Sequence, residues 1–323
     1  MRLPEELRQG IEREAAAVDP RLLPRAAREI SERYRKGELS AAALRSPAHL
    51  AAYLQTRLPA TFAANRRVFA EVAERLPGFA PHSLLDLGAG PGTSMWAAAE
   101  VFPGLEKITL VEREPQLVAA GRRVAAESRH PATRSAEWLR QDALASAASG
   151  PHDLVVASYT LAEISEKTAA QFMRTAWESS EELLVVIEPG TPAGFARVLA
   201  ARTALLDWGA HLAAPCPHAQ ACPMAHAGDW CHFAVRLERS AAHRRLKQGA
   251  LGYEDEKFSY LVASRAPAPL PAARVVRHPL ARPGHIQFTL CAASGLQRRT
   301  VTKSQKEVYR RARKAEWGSP WSD

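Results

Sequence analysis

No run of about twenty apolar residues occurs in this chain of 323 residues, which excludes a helix spanning a membrane. Acidic residues are not lacking where a leader would lack them. Glu5, Glu6, Glu12, Glu14 and Asp19 fall in the first thirty positions and argue against a secretory or transit peptide. A soluble, cytoplasmic protein without membrane association is expected. Lysine is scarce while arginine and alanine are abundant, as a GC-rich genome produces, so the formal net charge of +9 speaks less strongly for a polyanionic partner than its size implies. No internal repeat or long low-complexity tract occurs, and the length suffices for one enlarged domain or two, each with its own core.

Cysteine is also scarce. There are four, and Cys216, Cys222 and Cys231 fall within sixteen positions, among Pro215, Pro217, His218, Pro223, His226, Trp230 and His232; Cys291 stands alone downstream. In a reducing compartment such a cluster more often ligates metal or carries out redox chemistry than forms disulfides. Four thiolates complete a tetrahedral sulfur shell for zinc, or the ligand set of an iron–sulfur cluster. The spacing C-x5-C-x8-C lacks the C-x2-C pairs of zinc ribbons and leans away from structural zinc, and His218, His226 or His232 could replace a cysteine. Ordinary buried thiols are the alternative reading, cysteine being among the most buried residue types.

Residues 1–80 read as a helical lobe: Leu22, Ala26, Ile30 and Tyr34 recur at helical spacing, as do Leu50, Tyr53, Leu54 and Leu58, with Pro20, Pro24 and Pro59 as punctuation. From Ser83 short apolar runs alternate with amphipathic stretches, at 83–87, 107–112, 153–158 and 183–188, which predicts an α/β core with a parallel sheet over 81–195. Residues 196–257 break the rhythm with a helix, the cysteine segment and a basic stretch, Arg236 to Lys247, and are expected to form an inserted metal-bearing lobe. The final part, 258–323, holds a strand-like run at 258–264, two more at 274–278 and 285–291, and a basic tail.

The sharpest local motif runs from Leu84 to Ser94, an apolar strand entering a turn with Gly88, Gly90 and Gly92 and opening a helix. Glycine permits the tight bend and close approach of a ligand, and the helix N-terminus offers free N–H groups. The next strand ends in Glu112, at about the separation where an acidic side chain accepts from ribose hydroxyls. A nicotinamide loop places two residues between its second and third glycines; here one residue separates Gly90 from Gly92, and Asp86 precedes Gly88. This form resembles the loop of S-adenosylmethionine-dependent methyltransferases. On that resemblance Asp86 and the loop hold the amino-acid part of the cofactor, Glu112 its ribose, and Gln141-Asp142 lies beside the adenine. A helix cap before Ala143 is the competing reading for Asp142.

With a third strand expected near Glu137–Leu139, the fourth leads into 157–163, where a substrate would meet the methyl group. There is no Asn/Asp-Pro-Pro-aromatic motif to orient an exocyclic base nitrogen, nor a cysteine nucleophile at the usual positions. Glu163 is a candidate general base, although a carboxylate at a helix start has an ordinary reading too, and no catalytic residue is assigned. From Gln297 to Lys314 the chain holds Arg298, Arg299, Lys303, Lys306, Arg310, Arg311, Arg313 and Lys314 against a single Glu307, a balance suited to phosphate contact.

Together, the glycine loop, Glu188-Pro-Gly-Thr-Pro, Cys-Pro-His followed by Cys-Pro, Trp230-Cys-His-Phe233, Lys257-Phe-Ser-Tyr-Leu261 and a tail with Tyr309, Ala312-Arg-Lys314 and Trp317-Gly318 closely resemble one family. The chain is similar to the Rsm-type methyltransferase-like proteins of the small ribosomal subunit, known from mitochondria and with bacterial members, of which this would be one. The resemblance implies a class I methyltransferase-like, Rossmann-like fold and a 4Fe-4S cluster on Cys216, Cys222, Cys231 and Cys291. It also implies action on the small ribosomal subunit and its rRNA, as an enzyme or as a non-catalytic RNA-binding assembly factor. A monomer off the ribosome is expected.

Overall fold

The computed structural model describes residues 1–35, 44–144, 150–226, 228–247 and 251–322. Among the described residues four helices open the chain: α1 (Glu5–Ala16), α2 (Leu23–Arg35), α3 (Pro47–Thr56) and α4 (Leu58–Arg75). The start of α3 follows from its sequence: Ser46 caps it by accepting from the His49 N–H, and Pro47, lacking an N–H, occupies the first turn. Of the apolar residues at helical spacing, Ala26 and Ile30 are buried, whereas Leu22 lies ahead of α2 and is exposed.

The core is one mixed sheet. Its strands are β1 (Ser83–Leu87), β2 (Lys107–Val111), β3 (Glu137–Leu139), β4 (His152–Ser158), β5 (Ser180–Pro189), β6 (His211–Ala214), β7 (Phe233–Glu238) and β8 (Tyr253–Ser264), in the order β3-β2-β1-β4-β5-β8-β6. The first five run parallel, and β8 is inserted antiparallel between β5 and β6. That order, with its one reversed strand before the last, is the class I methyltransferase arrangement. The strands buried on both faces are near-continuous apolar runs, such as Leu183 to Ile187, as a covered parallel sheet requires. Helix α4 and helix α5 (Thr93–Val101) pack with one face, while α7 (Glu166–Glu178) and α8 (Pro192–Asp207) cover the other; α6 (Pro115–Ala125) follows β2.

Residues 196–257, expected as an inserted lobe, are woven into this sheet instead. β6 pairs with the end of β8 (Leu212 opposite Ala263) and β7 with its beginning (Phe233 opposite Phe258), so the cysteine segment is the connection between two strands sharing one partner. Helix α9 (Ala241–Lys247) completes the stretch.

The last part forms a second, antiparallel sheet of β9 (Ala273–Val275), β10 (Leu280–Arg282), β11 (His285–Ala292), β12 (Gly295–Thr302) and β13 (Pro320–Trp321), with α10 (Lys306–Ala312) beside it. β11 is central and pairs along its whole length with β12. Val275, Ile286, Phe288, Val301, Ala312 and Trp321 give it a small core of its own. The basic tail is therefore a strand and a helix of this sheet.

Candidate cofactor cleft and cysteine cavity

Strand order reverses between β2-β1 and β4, and there the carboxyl ends of the strands leave a crevice. Gly88, Gly90 and Gly92 turn the chain with φ of +79°, +56° and +81°, the left-handed region that other residues reach only under strain. A Cβ on Gly88 would lie 2.6 Å from Thr160, whereas one on Gly90 would meet nothing nearer than the Tyr53 hydroxyl at 3.8 Å. Gly90 thus faces open space, in a cleft of about 660 Å³, a volume suited to a cofactor.

Of the residues read from the sequence, Gly88, Gly90, Glu112 and Asp142 line this cleft, while Asp86 and Gly92 do not. Glu112 is buried, and its two carboxylate oxygens accept from the N–H groups of Gly90 and Glu114, each at 2.8 Å. It braces the glycine turn, and each oxygen keeps a lone pair for a further donor. Burial pushes its carboxyl pKa up. Asp86 is fully buried behind the loop, where burial pushes its pKa up to about 7 and Ser94 partly offsets the effect. Neither Asp86 oxygen has a close hydrogen-bond partner among the described residues. Asp142 accepts from the Leu144 N–H at 2.9 Å, the geometry of the cap reading, while still facing the cleft.

Sequence reasoning missed the opposite wall. Tyr53, Arg57 and Thr61 of the helical lobe line the cleft, together with Arg113 and Arg197. Tyr159 follows β4 with φ of +60°, uncommon for a residue with a side chain, and donates from its hydroxyl to Glu256 at 2.9 Å. Glu163 faces the cleft 3.7 Å from the Arg113 guanidinium. Glu188 is fully buried at the end of β5, where burial pushes its pKa up to about 7 although it accepts from the Leu161 N–H and lies 3.6 Å from Arg197.

The four cysteines come from separate places yet line one apolar cavity. Cys216 follows β6, Cys222 lies in the connection, Cys231 precedes β7, and Cys291 sits on β11 of the second sheet. Burial pushes the thiol of Cys291 up to about 12, and raises those of Cys216 and Cys231. The other cysteines add to the shift at Cys231 and Cys291. Cys291 Sγ lies 3.6 Å from His218 Nε2. His232 stacks on Trp230 and meets Trp317 edge-on, and Trp230 donates to the Gly190 carbonyl, tying the cysteine loop to the Pro189-Gly190 turn. The side chain of His226 lies outside the described residues. Among the described residues no group of three or more Cys, His, Asp or Glu side chains is placed to hold a metal ion, so the metal expectation has no ready-made site.

Two arginines share the cavity, again missed from the sequence: Arg202 on α8 and Arg274 on β9, 5% and 1% exposed. Arg202 was readable. It follows Phe195 and Val198 and precedes Leu205 on the stripe of α8 that faces the core, where the spacing calls for an apolar residue.

The two basic stretches differ. Arg236 pairs with Asp255, and Arg239 and Lys247 share Glu254, so part of the 236–247 charge is paired within the fold, while Arg244 and Arg245 are exposed. In the tail Arg298, Lys303, Lys306, Arg310, Arg311, Arg313 and Lys314 are exposed, and Arg310 pairs with Glu307.

Comparison with known proteins bears on these features. The family model described as mitochondrial small ribosomal subunit Rsm22 matches residues 47–322. The human mitochondrial ribosome assembly protein METTL17 is 28% identical over 286 residues, which span 82% of this chain and 61% of that protein. The mitochondrial Rsm22-cox11 tandem protein 2 of Schizosaccharomyces pombe is 28% identical over 73% of this chain and 38% of its own length. The chain thus covers under two thirds of either relative. Among solved structures, magnesium protoporphyrin IX methyltransferase of Synechocystis with bound S-adenosylhomocysteine aligns at 13% identity and a TM-score of 0.43, over 73% of this chain and 93% of that one, a likeness too distant to carry an argument. The expectation of a cytoplasmic protein is corrected by these relatives, which are mitochondrial. Acidic residues near the start were read against a secretory or transit peptide, and that reading could not identify a compartment. No helix among the described residues is long and apolar enough to cross a membrane.

Proposed function

The chain belongs to the Rsm22 family of the mitochondrial small ribosomal subunit, and from that premise we propose that it acts on the small ribosomal subunit during assembly, binding S-adenosylmethionine in the cleft and an iron–sulfur cluster in the cysteine cavity. The observation that carries this reading is the convergence of Cys216, Cys222, Cys231 and Cys291 on one cavity, although Cys291 belongs to a different sheet. Four soft thiolates and no carboxylate among the lining residues suit an iron–sulfur cluster, with zinc the alternative occupant. Orphaned buried donors, Arg202 Nε and Arg274 Nη2, complement a negatively charged centre. When bound, the cluster would cross-link the β6–β7 connection to the second sheet.

In the cleft, Gly90 leaves room for the methionine part of the cofactor, Glu112 offers acceptors to the ribose hydroxyls, and Asp142 lies where the adenine would sit. Asp86 acts from behind, through the loop. The exposed cations of β12 and α10 would meet rRNA phosphates.

The cleft has the parts for a methyl donor, which supports transfer to an RNA base or protein side chain by orientation. One observation favours the non-catalytic reading: Tyr159, which lines the cleft, is committed to Glu256, and Glu188 is buried away from it on the Leu161 N–H, with no motif to orient an acceptor nitrogen. Oxygen-free purification followed by iron, sulfide and zinc determination tests the cluster: about four irons and four sulfides per chain support it, and one zinc without sulfide reassigns the cavity. Methyl transfer to immature small subunits, with Asp86→Ala and Gly90→Arg as controls, tests catalysis. If both variants restore assembly in a deletion strain, the protein works without donor binding.

A further inference from the structure

We propose that Arg202 and Arg274 are positioning residues that neutralise an anionic metal–thiolate centre in the cysteine cavity and set its reduction potential. The inference rests on the cluster reading above. Both guanidiniums are buried, a position costly for a charge without a counter-charge. Arg202 Nη2 donates to the carbonyls of His218 and Gln220, at 2.9 and 2.7 Å, holding the loop that carries Cys216 and Cys222. Arg274 Nε donates to the Pro215 carbonyl at 2.9 Å, next to Cys216. Arg274 is also the cross-strand partner of Cys291 in the β9–β11 register, which places the two side chains on one face of the second sheet.

These bonds leave donors over. Arg202 Nε and Arg274 Nη2 are buried without a hydrogen-bond partner among the described residues. A buried N–H left unpaired is costly, and sulfur acceptors carrying negative charge would satisfy it. The formal charges agree with this assignment. Four thiolates around a 4Fe-4S core carry a net negative charge, and Arg202 has no carboxylate ion pair within the described residues to balance its own. Arg274 pairs with Glu71 at 2.7 Å, but Glu71 is itself shared with Arg75 at 2.7 Å and Arg67 at 3.4 Å, so positive charge remains in excess on that side. Reduction of the cluster by one electron from dithionite adds one negative charge at the centre, and nearby cations favour the reduced state.

The full-length protein, purified without oxygen, is compared with Arg202→Gln, Arg202→Lys and Arg274→Lys. Iron and sulfide in the unaltered protein test the cluster reading by themselves. With the cluster present, a dye-mediated titration followed by electron paramagnetic resonance reads the potential. Arg202→Gln is expected to shift it to more negative values, while Arg202→Lys and Arg274→Lys, which keep the charge, stay close to the parent. A merely structural arginine would lower thermal stability and leave the potential of retained clusters unchanged, and that result overturns the proposal. If Arg202→Gln does not fold, a lysine variant with parental stability but a potential as altered as complete loss of charge would produce also overturns it. If the unaltered protein holds no iron, the cluster reading falls, and Co(II) titration of the thiolate absorption band still tests the arginines. Binding about tenfold weaker in Arg202→Gln, or about 1.4 kcal/mol, supports them, and equal binding refutes them.

Discussion

The cleft at the carboxyl ends of β1, β2 and β4 takes its proposed cofactor contacts from residues 86–142, while the cysteine cavity draws its thiols from 216–231 and then from Cys291 on a second sheet. One is open, polar at its floor and built from backbone turns; the other is apolar, lined by thiols raised by burial and flanked by buried guanidiniums. A cleft at the end of parallel strands exists once the sheet forms. The cavity requires the second sheet to dock first, because only then does Cys291 face the other three. Helix α4 serves both, with Thr61 lining the cleft and Glu71 pairing with Arg274 beside the cavity.

The largest expected effect separates the two sites outright. Gly90→Arg places a side chain in the open space of the cleft at a φ of +56° and should weaken S-adenosylmethionine binding by about 100-fold or more, roughly 2.8 kcal/mol. Calorimetry reads the binding, and iron content should not change; a parallel loss of iron would show that the sites are not independent. Conversely, Cys291→Ser should release the proposed cluster and undock the second sheet, lowering Tm by about 5 °C or more, since each 1 kcal/mol is worth roughly 2–4 °C in a domain of this size. Retained iron and an unchanged melting curve would remove Cys291 from the ligand set.

A pH measurement sharpens the contrast further. Burial pushes Asp86 up to about 7 from its ordinary value of 3.8, so the folded state holds its proton more tightly than the unfolded one. The contribution to stability is fully present below about pH 4 and is lost as pH rises through about 7. Asp86→Asn, which mimics the neutral acid, should flatten that decline, worth about 2–4 kcal/mol across the window. Urea unfolding between pH 4 and 8 reads it, and an equally steep decline in the variant would place the titrating group elsewhere. The smallest effect concerns the surface: neutralising Arg310, Arg311 and Arg313 should reduce the slope of log affinity against log salt for single-stranded RNA by about 2. An unchanged slope would give the tail another role.

Sequence and structure agree best where the cause is local. Glycines 88, 90 and 92 follow an apolar strand and precede a helix, an arrangement fixed within about a dozen residues, and β1 falls on the run from Ser83 to Leu87. Disagreement lies where partners decide. The tail was read as a basic segment suited to phosphate contact, and pairing along the whole of β11 makes a strand of residues 295–302, with Val301 its buried residue. In the stretch 236–247, read as basic throughout, Asp255 and Glu254 of β8 come opposite Arg236 and Arg239 and pair with them. Arg274 carries no local signal, since a lone arginine between Ala273 and Val275 gains its meaning only from Glu71, Pro215 and Cys291 around it.

By itself the sequence determined the α/β alternation, the glycine turn with Glu112 one strand away, and the four cysteines as a set, because strand propensity, left-handed turns and thiol chemistry are properties of short segments. Tertiary structure decided that Asp86 stands behind the loop, that helical-lobe residues wall the cleft, that the cysteine segment is a connection on the main sheet, and that Arg202 and Arg274 share the cavity with the thiols. These depend on which surfaces bury one another, and burial is a property of the packed chain that no segment carries alone.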